Sequence, residues 1–349
     1  MTELREGFYR AGNRENTTMR YEGSKQVLEN LIKKRDLLNA GDPSHTNIRP
    51  LLLIGPGAMN GVDGGGQIIS LEKFGLSETF DAVVGNSTGV CLGGYFLSQQ
   101  SKLGVSIYPE ECTTPEFFSK WRVLNGRPLM DADWLAKVFR GEISNKKLEQ
   151  TAIKKSRSKF YGVVTDAHTG RTTFLNIKNL PDMVQGMRAS FAVPGLTSGN
   201  VNVSGQVYLD GGKSTLPLRQ IIKEFKPTDV LILSNRTEHG DGRWKLVRRI
   251  LGPLFLRNYP LRIRTSFSES RKEKRFRREL NFLRAEKSCR IGVIWADRSG
   301  VNSLTQDSKK LQAAIDRSER HLSSLLRSAE GAATLLPEPE PRGSIRPKT

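Results

Sequence analysis

A serine between two glycines has the spacing of a strained nucleophilic turn. The segment Gly85-Asn86-Ser87-Thr88-Gly89 follows the apolar run FDAVV, typical of a buried strand, and precedes VCLGGYFL, typical of a buried helix. In a turn this tight, a Cβ on Gly85 or Gly89 collides with neighbouring backbone, and the serine hydroxyl is held above the sheet edge. A purely structural turn has the same pattern, so the position between strand and helix carries the prediction of a nucleophile at Ser87.

A serine nucleophile needs hydrogen-bond donors for the charge that develops on the attacked carbonyl oxygen. The glycine-rich loop after the apolar strand RPLLLI is a candidate for this oxyanion hole, and it comprises Gly55, Pro56, Gly57, Ala58, Met59, Asn60 and Gly61. Because proline has no N–H, we expect the donors at Gly57, Ala58 and Met59, with Thr88 as a further candidate. Phosphate binding is the alternative, but the loop lacks the Gly-Lys-Ser/Thr of a Walker loop and is one residue too long for a dinucleotide fingerprint.

An aspartate at the end of a predicted strand is the candidate base. Asp210-Gly211-Gly212 follows the apolar VYL, and the two glycines allow another backbone segment to approach closely. A histidine base is the alternative, because the order Ser, Asp, His is that of an α/β-hydrolase triad. Of the four histidines, His239 and His321 follow Asp210, and His239 in the polar segment TEHGDGR is the candidate for that role.

Taken together, these motifs resemble the patatin-like phospholipase family. The shared order is a glycine-rich loop after the first strand, then a G-x-S-x-G turn, then Asp-Gly-Gly much later in the chain. The resemblance runs from about Arg49 to Leu218 and more faintly to Leu325. Further segments similar to the family are GRPLMD (126–131), VVTDAHTGR (163–171), MRASFAVPGL (187–196), Gly66, Leu71 and Phe80-Asp81.

The resemblance implies a three-layer α/β/α sandwich with a central, mostly parallel sheet. It also implies a serine acyl hydrolase that cleaves fatty-acyl esters of lipids, with Ser87 as nucleophile, Asp210 as proton acceptor, the loop 55–61 as oxyanion hole, and neither cofactor nor metal. The loop departs from the family pattern G-G-G-x-Arg/Lys-Gly, because Pro56 replaces a glycine, Asn60 replaces the basic residue and one residue is added. A catalytically weak or inactive member that binds surfaces therefore stays open as an alternative.

Short apolar strands alternate with helical stretches, as in an α/β fold with helices on both faces of a sheet. We divide the 349 residues into an N-terminal arm (1–48), a catalytic core (49–218), a basic part that completes or caps the domain (219–330) and a Pro-rich disordered tail (331–349). No apolar run approaches the ~20 residues of a membrane-spanning helix, and the first 48 residues lack the apolar stretch of a signal peptide. Three cysteines without a CxxC pair predict neither a disulfide framework nor a zinc site, so we expect a cytoplasmic setting.

The surface is strongly basic, with 55 Lys and Arg against 36 Asp and Glu and a net charge of +19. The segment Arg243–Arg290 holds 16 of these basic residues and only 4 acidic ones. It is interpreted as a peripheral contact with an anionic membrane surface or as a solvated cationic face. Nucleic-acid binding is not expected, because no recognisable binding fold accompanies the charge. The expected partner is a lipid or another acyl ester, and the oligomeric state is left open.

Overall fold

The computed structural model describes residues 20–197, 199–211, 216–236, 272–296 and 300–334. Within these ranges the strands are β1 (Arg20–Gly23), β2 (Pro50–Ile54), β3 (Ala82–Asn86), β4 (Lys159–Asp166), β5 (Thr172–Asn176), β6 (Val201–Val203), β7 (Gln206–Asp210), β8 (Asp229–Ser234) and β9 (Arg290–Trp295). They form one sheet in the order β1-β9-β8-β2-β3-β4-β7-β6, and β5 also pairs with β4.

The helices of the described residues lie between these strands along the chain, except the last, which follows β9. They are α1 (Gln26–Asn39), α2 (Gly61–Lys73), α3 (Thr88–Leu97), α4 (Ser101–Glu110), α5 (Lys120–Leu124), α6 (Ala132–Arg140), α7 (Gln150–Lys155), α8 (Met183–Ser190), α9 (Leu218–Phe225), α10 (Lys272–Glu286) and α11 (Ser308–Thr334). Short 3₁₀ turns lie at Pro43–Asn47, Ala58–Asn60 and Ile177–Asn179. No helix in the described part of the chain is both long enough and apolar enough to cross a bilayer.

The centre of the sheet is parallel and its edges are antiparallel. Strands β9, β8, β2, β3 and β4 all run in one direction, whereas β1, β5, β6 and β7 pair antiparallel with their neighbours. Strands β2 and β8 are fully buried, which is why both are continuous apolar runs rather than alternating ones. The carboxyl ends of β2, β3 and β8 therefore lie at one edge, the usual place for a ligand in an open α/β sheet.

Helices cover both faces of the sheet. Along β2, Leu52 and Ile54 pack into the core formed with α1–α4, α6–α8 and α11, whereas Leu51 and Leu53 pack into the core formed with α9 and α10. This alternation follows from the period of two in a strand. The predicted three-layer α/β/α sandwich with a mostly parallel sheet is confirmed.

Residues outside the family-like core contribute to the same sheet. In the N-terminal arm, Arg20–Gly23 forms the edge strand β1, where the Trp295 indole N–H donates to the Glu22 carboxylate at 2.8 Å. In the basic region, α10 places Phe276, Leu280 and Leu283 against the sheet. Residues 237–271, with most of the basic region, and the tail from 335 lie outside the described residues.

The long helix α11 packs directly on α2. Gly66 of α2 lies against the backbone of α11 at Ile315, with no space for a side chain. The Ser318 hydroxyl donates to the Asp63 carbonyl, and the Ser70 hydroxyl donates to the Glu319 carbonyl at 2.6 Å. Helix α11 therefore fixes the helix that begins where the glycine-rich loop ends.

Candidate active site

The ends of two strands meet head-on beside β4. Strand β5 pairs along one edge of β4, so β3 and β7 share the other edge. At the end of β3 Asn86 pairs with Val163, and at the end of β7 Asp210 pairs with Val164. Because β3 is parallel to β4 and β7 is antiparallel, the two strands point toward each other and end at neighbouring residues. Since Ser87 directly follows Asn86, this topology brings the predicted nucleophile and base to one point of the sheet edge.

Asp210 and Gly211 lie close to the ends of β3 and β4 at this junction. Asp210 is 4% exposed, and its backbone N–H donates to the Ala192 carbonyl at 3.0 Å. At Gly211 a Cβ would stand 2.7 Å from both the Asn86 side-chain oxygen and the Val163 carbonyl oxygen. Any larger residue at 211 would push β7 away from β3, which explains the glycine after the aspartate. Gly212 lies outside the described residues.

Ser87 has the strained conformation predicted for it. Its φ is 55° and its ψ is −125°, between the end of β3 and the start of α3. The Ser87 N–H donates to the Ser190 hydroxyl at 3.2 Å, and that hydroxyl donates to the Val163 carbonyl at 2.9 Å. A Cβ at Gly85 would overlap the Val90 backbone, and one at Gly89 would overlap the end of β2. Both glycines are therefore required by close backbone approach.

The glycine-rich loop lies beside this turn. Three of its N–H groups are engaged within the fold, because they donate to backbone oxygens of β8 or of the loop itself: those of Gly55, Asn60 and Gly61. This leaves Gly57, Ala58 and Met59 as the candidate oxyanion donors, and Ala58 and Met59 line the same pocket as Ser87. Ala58 adopts a φ of 48°, a left-handed conformation that costs a non-glycine residue roughly 1–2 kcal/mol.

The side chain of Asn60 is uncharged and does not supply the positive charge that the family pattern has at this position. Its amide nitrogen lies 3.4 Å from the Ser303 hydroxyl, in the loop before α11. Gly61 begins α2 against the hydroxyl groups of Thr88 and Tyr108, which hydrogen-bond each other. Asn60 and Gly61 therefore set the shape of the loop, and an electropositive side chain at position 60 is replaced by a neutral one.

Asn235 holds the glycine-rich loop in place. It is fully buried directly after β8, where its amide nitrogen donates to the Gly55 carbonyl at 2.6 Å and its amide oxygen accepts the Gly64 N–H at 2.8 Å. The two bonds join the start of the loop and the first turn of α2 to one side chain. Because a buried amide left without partners costs about 1–3 kcal/mol, the side chain stabilises the loop in this one conformation.

We expect Asn235→Asp to damage both stability and activity. The carboxylate keeps the acceptor for Gly64 but faces the Gly55 carbonyl without a proton to donate. The free energy of unfolding should fall by about 1–3 kcal/mol, and ester turnover by ~10²-fold as the oxyanion donors shift. Asn202→Asp is the matched control, because its exposed side chain only accepts the Gly205 N–H in a turn. Equal turnover in the two variants, measured with urea unfolding alongside, would contradict this role.

An apolar pocket opens beside Ser87. It has about 710 Å³ of empty space, including the open space at its mouth. Aliphatic and aromatic side chains dominate its wall; it is lined by Ala58, Met59, Ser87, Thr88, Cys91, Leu92, Tyr95, Gly104, Ile107, Tyr108, Cys112, Phe117, Met130, Ala132, Leu135, Phe139, Phe191, Val193, Leu196 and Thr197. Burial raises the pKa of the Cys91 and Cys112 thiols and of the Tyr108 hydroxyl, so these groups stay neutral at physiological pH. The pocket suits an uncharged, flexible chain.

Comparison with known proteins identifies the fold family. Residues 52–222 match the family model Patatin, described as patatin-like phospholipase. The chain is a patatin-like family member. The patatin-like segment thus contains the glycine-rich loop, Ser87 and Asp210, and ends before β8, Asn235 and α11.

Individual relatives are distant. The uncharacterized protein YjjU of Escherichia coli (strain K12) is 29% identical over 199 residues, which cover 53% of this chain and 55% of that protein. The chain thus spans about half the length of this curated relative. Among solved structures, VipD from Legionella pneumophila is 10% identical with a TM-score of 0.37, covering 80% of this chain and 67% of that one.

Two further solved structures have similar sequence identities and TM-scores. The type III effector protein ExoU is 11% identical with a TM-score of 0.39, covering 81% of this chain and 53% of that one. Human GIVD cytosolic phospholipase A2, solved with methyl gamma-linolenyl fluorophosphonate and terbium chloride, is 11% identical with a TM-score of 0.42. It covers 89% of this chain and 64% of that one.

The described histidines lie away from the patatin-like site. His45 is in the 3₁₀ turn before β2, His168 is exposed in the turn after β4, and His321 lies in α11. None of the three lines the pocket. His239, the candidate for a triad, lies outside the described residues. Within the described ranges, no group of three or more His, Cys, Asp or Glu side chains is arranged to hold a metal ion.

Two positioning residues of the patatin-like site were not assigned a role from the sequence. Ser190 was noted only as part of the similar segment MRASFAVPGL, although it holds the backbone of Ser87. Asn235 directly follows the apolar run VLILS (230–234) of β8, so its position at a carboxyl strand end was the available signal. Ser87 and Asp210 share this position at the carboxyl end of a strand.

Proposed function

We propose that this patatin-like protein is a serine acyl hydrolase that cleaves fatty-acyl esters of lipids through a Ser87–Asp210 dyad. The observation that carries the proposal is the head-on meeting of β3 and β7 beside β4, with the pocket opening at Ser87. Membership of a phospholipase-type family supports a lipid ester as substrate. The altered glycine-rich loop is the feature that argues for slow turnover.

The proposed mechanism has two half-reactions. In the first, the Ser87 hydroxyl attacks the ester carbonyl while Asp210 accepts its proton, and the N–H groups of Ala58 and Met59, with that of Thr88, stabilise the oxyanion. The alcohol departs with the proton from Asp210, leaving an acyl group on Ser87. In the second, Asp210 takes a proton from water, which attacks the acyl-enzyme. The fatty acid then leaves as the proton passes from Asp210 to the Ser87 oxygen, which restores the free hydroxyl. The strained turn holds the Ser87 oxygen above the end of β3 in both half-reactions.

The direction of the pocket favours a long acyl chain. Ser87, Cys91 and Tyr95 are spaced by four residues on or beside α3, so they form one line along the helix. At 1.5 Å per residue this line is ~12 Å long. An acyl group attached to Ser87 can therefore extend along α3 over two helical turns, in contact with apolar side chains. The proposed substrates are long-chain lipid esters, which the protein would bind in the cytoplasm or at a membrane surface.

Labelling with a fluorophosphonate tests the nucleophile. We expect one covalent adduct per chain by intact mass, located on Ser87 by peptide mapping, and faster labelling by a probe with a long alkyl chain than by one with a short chain. An adduct on another residue would refute the assignment of Ser87. An unlabelled protein that still binds lipid would instead favour a catalytically silent member of the family.

A further inference from the structure

A loop beside the acyl pocket is stabilised by its own hydrogen bonds and exposes a tryptophan to solvent. The loop, residues 118–130 and here called the Trp121 loop, contains the short helix α5. At its base, Phe118 and Met130 form an antiparallel bridge, and the Ser119 N–H donates to the Leu129 carbonyl at 3.2 Å. These contacts hold the two ends of the loop together.

An arginine braces the loop from within. The Arg122 guanidinium is 2.8 Å from the Asp131 carboxylate, and its Nε donates to the Pro128 carbonyl at 3.1 Å. Arg122 is also tied through its own carbonyl, which accepts the Arg127 N–H at 2.9 Å. The conformation at the tip is therefore fixed by the loop's own hydrogen bonds.

Trp121, the second residue of α5 in this loop, is 75% exposed. The other large apolar side chains exposed in the described part of the chain are Ile143 at 46% and Phe282 at 41%. Burial of an indole removes a large apolar area from water, so a rigid loop that leaves it exposed gives up that stabilisation. The indole of Trp121 is therefore available to be buried against a partner surface, with its N–H still able to meet a polar group.

The charge of the Trp121 loop indicates what covers it. Lys120, next to Trp121 in sequence, and Arg127, in the returning half of the loop, are both exposed, and the sequence from 118 to 130 contains no acidic residue. Tryptophan beside basic side chains is the combination that settles at the interface of an anionic bilayer, where the indole enters the headgroup layer and each cation gains from the surface potential. The net charge of +19 favours the same encounter.

The Trp121 loop is also part of the pocket wall. Met130 at the end of the loop, and Phe117 directly before its start, line the pocket that contains Ser87. The N–H of Met130 donates to the carbonyl of Leu196, another pocket residue, at 2.8 Å. Contact of the loop with a bilayer therefore brings the acyl pocket to the lipid.

We propose that the Trp121 loop is the surface that docks this protein on anionic phospholipid bilayers. The proposal rests on the proposed function for its purpose, since it delivers the pocket to lipid esters. Docking itself is independent of ester turnover, because it requires Trp121, Lys120 and Arg127 and does not require Ser87.

Vesicle co-sedimentation in the Ser87→Ala background tests docking without hydrolysis. With vesicles of phosphatidylcholine and phosphatidylglycerol at three to one, Trp121→Ala should weaken binding about tenfold. The charge reversal Lys120→Glu with Arg127→Glu should weaken it by a similar factor, and high salt should do the same to the parent. Ile143→Ala is the matched control and should bind as the parent does, with thermal unfolding confirming that each variant is folded.

Several outcomes would overturn docking through this loop. They are a parent that does not bind the vesicles, a Trp121→Ala variant that binds as the parent does, and an equal loss in Ile143→Ala. Loss of binding in Phe282→Ala alone would assign the contact to the basic region around α10 instead. A change from dimer to monomer in Trp121→Ala, with vesicle binding unchanged, would make the loop a self-association surface. Failure of fluorophosphonate labelling would refute the proposed hydrolase and leave the vesicle result standing.

Discussion

Ser87→Ala should lower ester turnover by ~10³-fold or more and abolish fluorophosphonate labelling. The hydroxyl is the atom that forms the proposed acyl-enzyme, and its removal leaves only what binding and the oxyanion donors supply. Hydrolysis of a long-chain ester by purified protein is the measurement. Ser98→Ala is the matched control, because that buried hydroxyl lies at the other end of α3 and donates only to the Tyr95 carbonyl at 3.2 Å.

Stability provides a second readout at the same position. Ser87→Gly should be as inactive as Ser87→Ala but more stable, because glycine adopts a φ of 55° without a steric penalty. We expect a difference of about 1 kcal/mol in the free energy of unfolding. If alanine and glycine at position 87 gave equal stability, the turn would hold no strain. If Ser87→Ala kept the parent's turnover, the proposed nucleophile would be wrong.

Asp210→Asn should lower kcat by ~10²–10⁴-fold, the usual contribution of a general base. Asparagine has the shape of aspartate but does not accept the Ser87 proton, so KM should change little. Residual activity should rise with pH as solvent base replaces the carboxylate. The rate of fluorophosphonate labelling should fall together with kcat, since both reactions need a deprotonated serine.

Asp229→Asn is the informative control for this variant. Asp229 is also a buried strand aspartate, but it lies at the amino end of β8, where it accepts from Asn30 at 2.9 Å and from the Arg290 guanidinium at 2.6 Å. Its loss should lower the free energy of unfolding by about 1–3 kcal/mol with little change in kcat. If Asp210→Asn and Asp229→Asn both lost stability and kept kcat, Asp210 would be structural and the dyad would be wrong.

The sequence predicted the elements whose local pattern is unambiguous. Strands β2 and β3 are apolar runs that stop at glycine or at a polar turn, and the G-x-S-x-G pattern after β3 predicted a strained turn that the backbone at Ser87 has. The wall of the pocket was not predictable, because it is assembled from α3, α4, α6 and the loops around 117 and 191–197. Only the tertiary fold brings these segments together.

Two elements are not indicated by the local sequence pattern, for physical reasons. Helix α2 contains Gly64, Gly65 and Gly66, which local propensity places outside helices. Their lack of side chains instead allows close contact with α11 and Asn235, and tertiary packing supplies the stability. Strand β1 is short, polar and half exposed, so only its pairing with β9 makes it a strand. Asn235 depends on the same kind of long-range contact.

The packing of α11 on α2, and of β1 on β9, sets the order of events during protein synthesis. The segment that matches the family ends at residue 222, but the neighbour of β2 in the sheet is β8, and the partner of α2 begins at Ser308. A nascent chain that has emerged to residue 222 exposes one edge of β2 and the glycine face of α2. Contacts of such long sequence separation form slowly, and their absence leaves apolar surface open to aggregation. Until α11 has left the ribosome, the helix that follows the glycine-rich loop lacks the packing surface that Ile315, Ser318 and Glu319 provide.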